Sequence, residues 1–86
     1  MTITFHAEVR DYTQGVGEIS IPAASSVRAL MDMLGEHFGE QLRQFLFGDD
    51  TCFFLVNGKG IMATGGLNTP LADGDTVEVL PFIDAG

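Results

Sequence analysis

Few side chains in this sequence could carry out covalent chemistry or hold a metal ion. The chain has one cysteine, Cys52, and two histidines, His6 and His37, which are far apart in the sequence. One cysteine cannot form an internal disulfide, and this set is too small and scattered for a structural zinc site or an iron–sulfur cluster. Cys52 begins a short apolar run, where a free cysteine is usually a small buried hydrophobic residue. We therefore predict no metal site and no redox chemistry.

The Gly58-Lys59-Gly60 segment has the composition of a phosphate-binding loop but lacks its spacing. Such a loop needs a second, distant glycine before its Gly-Lys pair and a following Ser or Thr. Asn57-Gly58 is instead a dipeptide favoured in tight hairpin turns. The segment is predicted to be a hairpin turn.

The composition is that of one small acidic domain. The chain has 86 residues, of which 45% are hydrophobic and 19% charged, and this is enough apolar side chain for a core of its own. Four basic residues against twelve acidic ones give a formal net charge of −8 at pH 7. This charge repels a phosphate backbone and is complementary to a basic protein surface. We predict a protein partner and no nucleic acid.

The sequence has no segment that approaches the ~20 apolar residues needed to span a bilayer. Residues 1–10 alternate apolar and polar side chains and include Glu8, whereas a secretory signal has a basic start and a continuous apolar run. These features predict a soluble, cytoplasmic protein with no membrane partner.

The N-terminal half predicts a β-hairpin followed by a helix. Apolar and polar residues alternate over 2–10 and again over 18–21, with glycines between the two runs, as in strands that bury one face. Apolar residues at helical spacing over 27–38 predict an amphipathic helix, which Ser25 or Ser26 can cap.

The C-terminal half predicts the rest of a sheet. After a short helical turn over 41–47, the apolar run 52–56 is too brief for a helix and predicts a central strand. Residues 60–63 should form a short return strand, and the last strand should cover 75–82. This order, in a single domain of residues 1–86, predicts an α+β fold of the β-grasp (ubiquitin-like) type, with a mixed sheet of about four to five strands over one helix.

Side-chain alternation predicts an apolar patch on the face of the sheet away from the helix. If Val79 points to the core, Leu80 and Phe82 point outward. Leu55 also points outward if Phe54 and Val56, its neighbours in the predicted central strand, point inward. A contiguous apolar patch on a solvated face marks a partner surface. We predict that Leu55, Leu80 and Phe82 bind a partner protein, together with Pro81.

The segment 71–81, with the sequence LADGDTVEVLP, and a short tail that ends in Gly86 resemble the C-terminal third of the MoaD/ThiS family of ubiquitin-like sulfur carriers. Residues 5–10 resemble the opening strand of the MoaD branch, and 27–34 lie where that family has its helix. The resemblance covers the whole chain. It departs at one position, because family members usually end in Gly-Gly and this chain ends in Ala85-Gly86.

The resemblance implies that the C-terminal tail carries the chemistry. An ATP-dependent partner enzyme would adenylate the carboxylate of Gly86, and sulfur would displace AMP to leave a thiocarboxylate. Small residues such as Ala85 and Gly86 suit a flexible tail, about residues 82–86, that enters a narrow channel and reaches roughly 16 Å at ~3.3 Å per residue. The chain itself would bind no cofactor and would not be an enzyme.

The resemblance also implies the partners, which are the adenylating enzyme and a large synthase subunit. Sulfur would be delivered for cofactor biosynthesis, with the pterin of the molybdenum or tungsten cofactor as the favoured acceptor. Two other functions remain open from the sequence. The chain could be a protein modifier that is joined through Gly86 to a lysine, or an interaction module in which Ala85 reflects the loss of carrier chemistry.

Overall fold

A computed structural model of the chain describes residues 1–22, 24–48 and 52–81. In these residues five strands form one mixed sheet with the spatial order β2-β1-β5-β3-β4. The strands are β1 (Thr2–Phe5), β2 (Glu18–Ser20), β3 (Cys52–Val56), β4 (Lys59–Gly60) and β5 (Thr76–Pro81). The central pair, β1 and β5, is parallel, and the other neighbouring strands are antiparallel. This is the predicted β-grasp architecture.

Among the described residues two α-helices, rather than the predicted one, cover the inner face of the sheet. They are α1 (Val27–Phe38), capped by the Ser26 side chain, and α2 (Glu40–Phe47), which was predicted only as a short helical turn. Gly39 alone separates them and has a φ of 111°, a conformation that favours glycine. The helices pack closely because Gly35 has no side chain, and a Cβ built there would lie 2.8 Å from the Cβ of Arg43.

The first strand is shorter than predicted. It ends at Phe5, and the chain continues as a 3₁₀ helix over Ala7–Tyr12. Alternation could not reveal this, because Val9 is buried in the observed conformation as it would be in an extended strand. The helical turn also allows the Arg10 side chain to donate a hydrogen bond to the Phe5 carbonyl oxygen at 2.9 Å.

The return strand after β3 is also shorter than predicted. β4 covers only Lys59–Gly60, and Ile61–Ala63 form a 3₁₀ turn that buries Ile61. The predicted central strand, β3, lies second from the edge, and β5 occupies the centre of the sheet.

The alternation of inward and outward residues is confirmed in both long antiparallel strands. Val77 and Val79 of β5 and Phe54 and Val56 of β3 are buried in one core cluster with the apolar side of α1. Since successive strand residues point to opposite faces, the residues between them form the outer face of the sheet.

One carboxylate organises the turn that leads into β5. Asp75 accepts hydrogen bonds from the side-chain amide of Asn57 at 3.0 Å and from the backbone N–H of Ala72 at 2.8 Å. Asn57 in turn accepts a hydrogen bond from the Thr76 backbone N–H at 3.0 Å, which joins the β3–β4 turn to β5. The hydrogen bond from Asn57, and then that from Ala72, stabilise the charged form and lower the pKa of Asp75.

We expect Asp75 to make folding stability depend on pH. Its pKa is lower in the folded state, so its stabilising effect is present above the unfolded-state value and is lost as the pH falls through the folded-state value. Urea unfolding at about pH 6 and about pH 3 should therefore show a smaller pH-dependent loss of stability in Asp75→Asn than in the native chain. Asp11→Asn, at an exposed position away from this turn, is the control. Equal pH dependence in the native chain and Asp75→Asn would contradict this role.

Candidate functional site

Three large apolar residues lie side by side on the outer face of the sheet. They are Phe53 and Leu55 of β3 and Leu80 of β5, and we call them the outer patch. Phe53 pairs directly with Leu80 across the two strands and is 42% exposed, while Leu55 and Leu80 are half-buried. Directly opposed and diagonal residues of an antiparallel pair touch on one face, so the outer patch is contiguous.

The outer patch has a polar border on the side of β1. The imidazole Nε2 of His6 lies 3.0 Å from Oε1 of Glu78, and Glu78 is the cross-strand neighbour of Leu55. On the opposite side Leu55 faces Gly60 of β4, which has no side chain to cover it. An apolar centre with a charged rim is the usual organisation of a protein-binding surface.

The outer patch lies at the root of the C-terminal segment. Leu80 is the last outward residue of β5, which ends at Pro81. The predicted site residues Phe82, Ala85 and Gly86 lie outside the described residues. Five residues follow Pro81 and can reach at most ~18 Å when fully extended. A protein that holds Leu80 and its neighbours is therefore close enough to reach residue 86.

The structure changes the membership of the predicted partner surface at two positions. Pro81 pairs with Cys52 and is buried. It was predicted to belong to the partner surface, but it is not part of the outer patch. Phe53 was not selected from the sequence, although it has the same parity as Leu55 and the alternation of β3 could have identified it. Leu55 and Leu80 lie on the outer face as predicted.

The remaining candidate side chains are not gathered into a site. Cys52 is half-buried, and its thiol makes long contacts to the backbone carbonyl oxygens of Phe45 and Leu46, at 3.8 and 3.9 Å, which connects β3 to the end of α2. His37 is exposed, and its ring contacts that of Phe38.

Within residues 1–22, 24–48 and 52–81, no group of three or more His, Cys, Asp or Glu residues is arranged to hold a metal ion. None of the helices in the same ranges is both long and apolar enough to cross a membrane.

The sequence matches a known protein family over nearly its whole length. The model of the ThiS family matches residues 3–86, which include the segment beyond β5. A search of curated proteins found no significant sequence match.

Several solved structures share the fold over nearly the whole chain. CysO from Mycobacterium tuberculosis is 24% identical, with a TM-score of 0.82 over 95% of this chain and 98% of that one, and at this identity it supports the fold alone. A putative molybdopterin converting factor subunit 1 from Pyrococcus furiosus is 26% identical, with a TM-score of 0.73 and 95% of both chains covered. A chain in the complex of subunits 1 and 2 of molybdopterin-converting factor from Helicobacter pylori is 27% identical, with a TM-score of 0.67 over 99% of this chain and 96% of that one.

Proposed function

Because this chain belongs to the ThiS family of ubiquitin-like sulfur carriers and modifiers, we propose that it carries sulfur as a thiocarboxylate on Gly86. The observation that carries the proposal is the family match, which extends through residue 86. The position of the outer patch at the root of that segment supports it, since a carrier needs a surface by which its partner holds it while the tail reacts.

The proposed chemistry requires activation of the carboxylate by a partner enzyme. A carboxylate is a poor electrophile, so the partner joins it to AMP from ATP and releases pyrophosphate. A sulfide-level donor (HS⁻) then attacks the acyl carbon, AMP leaves with the electron pair of the broken C–O bond, and a thiocarboxylate remains. In this scheme the chain supplies the carboxylate of Gly86 and a docking surface, and no side chain of its own acts as an acid or base.

Ala85 affects how well the tail fits the partner. A methyl group in a channel that is shaped for glycine costs ~1–3 kcal/mol, which slows activation without abolishing it. A partner adapted to Ala85 would show no such cost. Either case is compatible with a working carrier.

The outer patch is the proposed docking surface for the activating enzyme. Phe53 is the most exposed of its three residues, and large aromatic residues dominate the energetics of many protein interfaces. Glu78 beside the patch and the net charge of −8 would favour a basic surface on the partner, chiefly by speeding the encounter.

The favoured acceptor is a precursor of the molybdenum or tungsten cofactor. The names of the similar Pyrococcus furiosus and Helicobacter pylori proteins refer to molybdopterin conversion, and the second is a complex of two subunits. By this proposal the chain acts in the cytoplasm as the small, non-catalytic subunit that brings sulfur to a larger one.

The docking role of the outer patch can be tested through the adenylation step. With the activating enzyme, carrier-dependent exchange of pyrophosphate into ATP should show an apparent KM about 10- to 30-fold higher for Phe53→Asp than for the native chain, as for the loss of an interface hot spot. Leu80→Asp should behave in the same way. The control is Met62→Asp, because Met62 is 91% exposed and lies outside the outer patch.

Two outcomes would separate docking from carrier chemistry. If Phe53→Asp and Met62→Asp have the same KM as the native chain, the outer patch is not the docking surface. If the native chain supports no exchange at any concentration, the carrier function itself is excluded.

A further inference from the structure

A second surface lies at the edge of the sheet opposite to β3 and β4. A groove of about 490 Å³ separates β2 from α1, a volume in the range of ligand-binding clefts. Its apolar wall includes Ile19 and Ile21 on the strand side and Met33 and Leu34 on the helix side. Met33 is 38% exposed. The groove opens on the inner, helix-covered side, so it is separate from the outer patch.

The groove borders a strand edge whose backbone hydrogen-bonding groups face no further strand among the described residues. Gly17 and Ile21 of the β2 segment face β1, because the Phe5 N–H donates to the Gly17 carbonyl oxygen and Met1 and Ile21 exchange two hydrogen bonds. Hydrogen-bonding direction alternates along an antiparallel strand. The backbone groups of Glu18 and Ser20 therefore point away from β1, and no strand among the described residues lies beyond β2.

These two features together define the shape of the occupant. A strand added beside β2 would bond to Glu18 and Ser20, and every second side chain would enter the groove between Ile19 and Met33. Extended peptides bind in this way at open sheet edges, with affinity from the backbone and specificity from alternate side chains. Branched apolar residues at those alternate positions would match the walls.

Charge selects among the extended segments that could bind. Glu36 is an exposed acidic residue on the groove wall, next to His37. Glu18, also exposed, begins the bordering strand, and the Arg10 guanidinium lies against Gly17 just before it. A second copy of this chain would bring another net charge of −8, and like charges disfavour that pairing.

From this geometry we propose that the β2–α1 groove binds an extended, basic segment of another protein by strand addition. The bound segment has apolar residues at alternate positions and Lys or Arg at its ends. Because the groove lies on the inner side at the β2 edge and the outer patch lies on the outer face of β3 and β5, the chain can hold this partner while a second protein holds the outer patch. The inference does not depend on the sulfur-carrier function.

The test uses the full chain and an acetylated, amidated peptide in which three Val alternate with two Thr, with two Lys at each end. NMR titration should show the largest amide shifts at Glu18, Ser20 and Met33, and hydrogen exchange at the first two amides should slow by about tenfold or more at saturation. Met33→Lys should weaken the affinity at least about tenfold, because it places a cation in the groove.

Matched controls keep the test specific. Met62→Lys makes the same change at a residue outside the groove and should alter the affinity by less than about twofold. A peptide with Glu in place of Lys should bind at least about tenfold more weakly. Circular dichroism verifies that both variants are folded.

Four results would overturn the inference. They are absence of binding by the Val/Thr/Lys peptide, shifts centred on Phe53 and Leu80 instead of β2, equal losses from Met33→Lys and Met62→Lys, and slow exchange at Glu18 and Ser20 in a dimer of the chain without peptide. The last result would assign the groove to a second copy.

Discussion

Removal of Gly86 is expected to lower the rate of carrier adenylation by at least about 100-fold. The deletion moves the reacting carboxylate ~3.5 Å back along the tail, and a misplacement of ~1 Å can already cost about 100-fold in rate. The chain should keep its fold, because the residues of the described core lie between Ile3 and Val79 in the sequence. The deletion removes none of them. Carrier-dependent pyrophosphate exchange measures the effect.

The matched control for this deletion is Ala85→Gly, which changes the tail without shortening it. We expect Ala85→Gly to be adenylated as fast as the native chain or faster, by a factor of up to roughly 150 if the methyl group costs ~3 kcal/mol in the channel. A deletion variant that is adenylated at the native rate would show that Gly86 does not carry the reacting carboxylate.

The second large effect is expected on folding, from neighbouring residues of β5. Val79→Asp should unfold the domain at neutral pH, because Val79 is fully buried between Phe5 and Phe54 in the sheet and an unpaired buried carboxylate costs several kcal/mol. Small domains have only about 5–15 kcal/mol of stability. Leu80→Asp, one residue further along the strand, should stay folded and lose less than about 1 kcal/mol.

Thermal unfolding followed by circular dichroism measures this pair. The native chain and Leu80→Asp should melt cooperatively at similar temperatures, and Val79→Asp should show no folded baseline. If Leu80→Asp is as unstable as Val79→Asp, the outer face contributes to the core and the outer patch is not free to bind a partner.

The fold was largely predictable because its long elements have clear periods. The 3.6-residue spacing over Val27–Phe38 and the alternation in β5 each allow only one buried face, so α1, the inner residues Val77 and Val79, and the outer residue Leu80 followed from the sequence. The elements that were missed are short. In the 3₁₀ helix Ala7–Tyr12, the one buried residue fits a strand equally well, and a local pattern cannot distinguish the two.

The site was predictable to different degrees. Leu55 and Leu80 followed from alternation, whereas the assignment of Ala85 and Gly86 depends on family resemblance, because two small residues at a chain end have no distinctive physical signal. The β2–α1 groove could not be predicted. Its walls are 12 or more residues apart in sequence, Ile21 and Met33 being the nearest pair, and only the packing of α1 on the sheet edge brings them together.

Alternation also explains the two differences between the predicted partner surface and the observed outer patch. It assigns Pro81 to the same side as Val79, so its burial follows from the register that placed Leu80 outside. It likewise assigns Phe53 to the side of Leu55. Both positions could have been predicted had the alternation been applied to every residue of the two strands.

The most direct test of the carrier function is the intact mass of the chain after incubation with its activating enzyme, ATP and a sulfur donor. Replacement of one carboxyl oxygen by sulfur should raise the mass by about 16 Da, and fragmentation should locate the increase at Gly86. Omission of ATP should prevent it. An unchanged mass under these conditions would contradict the carrier function, and a product joined through Gly86 to a lysine of another protein, with no thiocarboxylate detected, would identify the chain as a protein modifier instead.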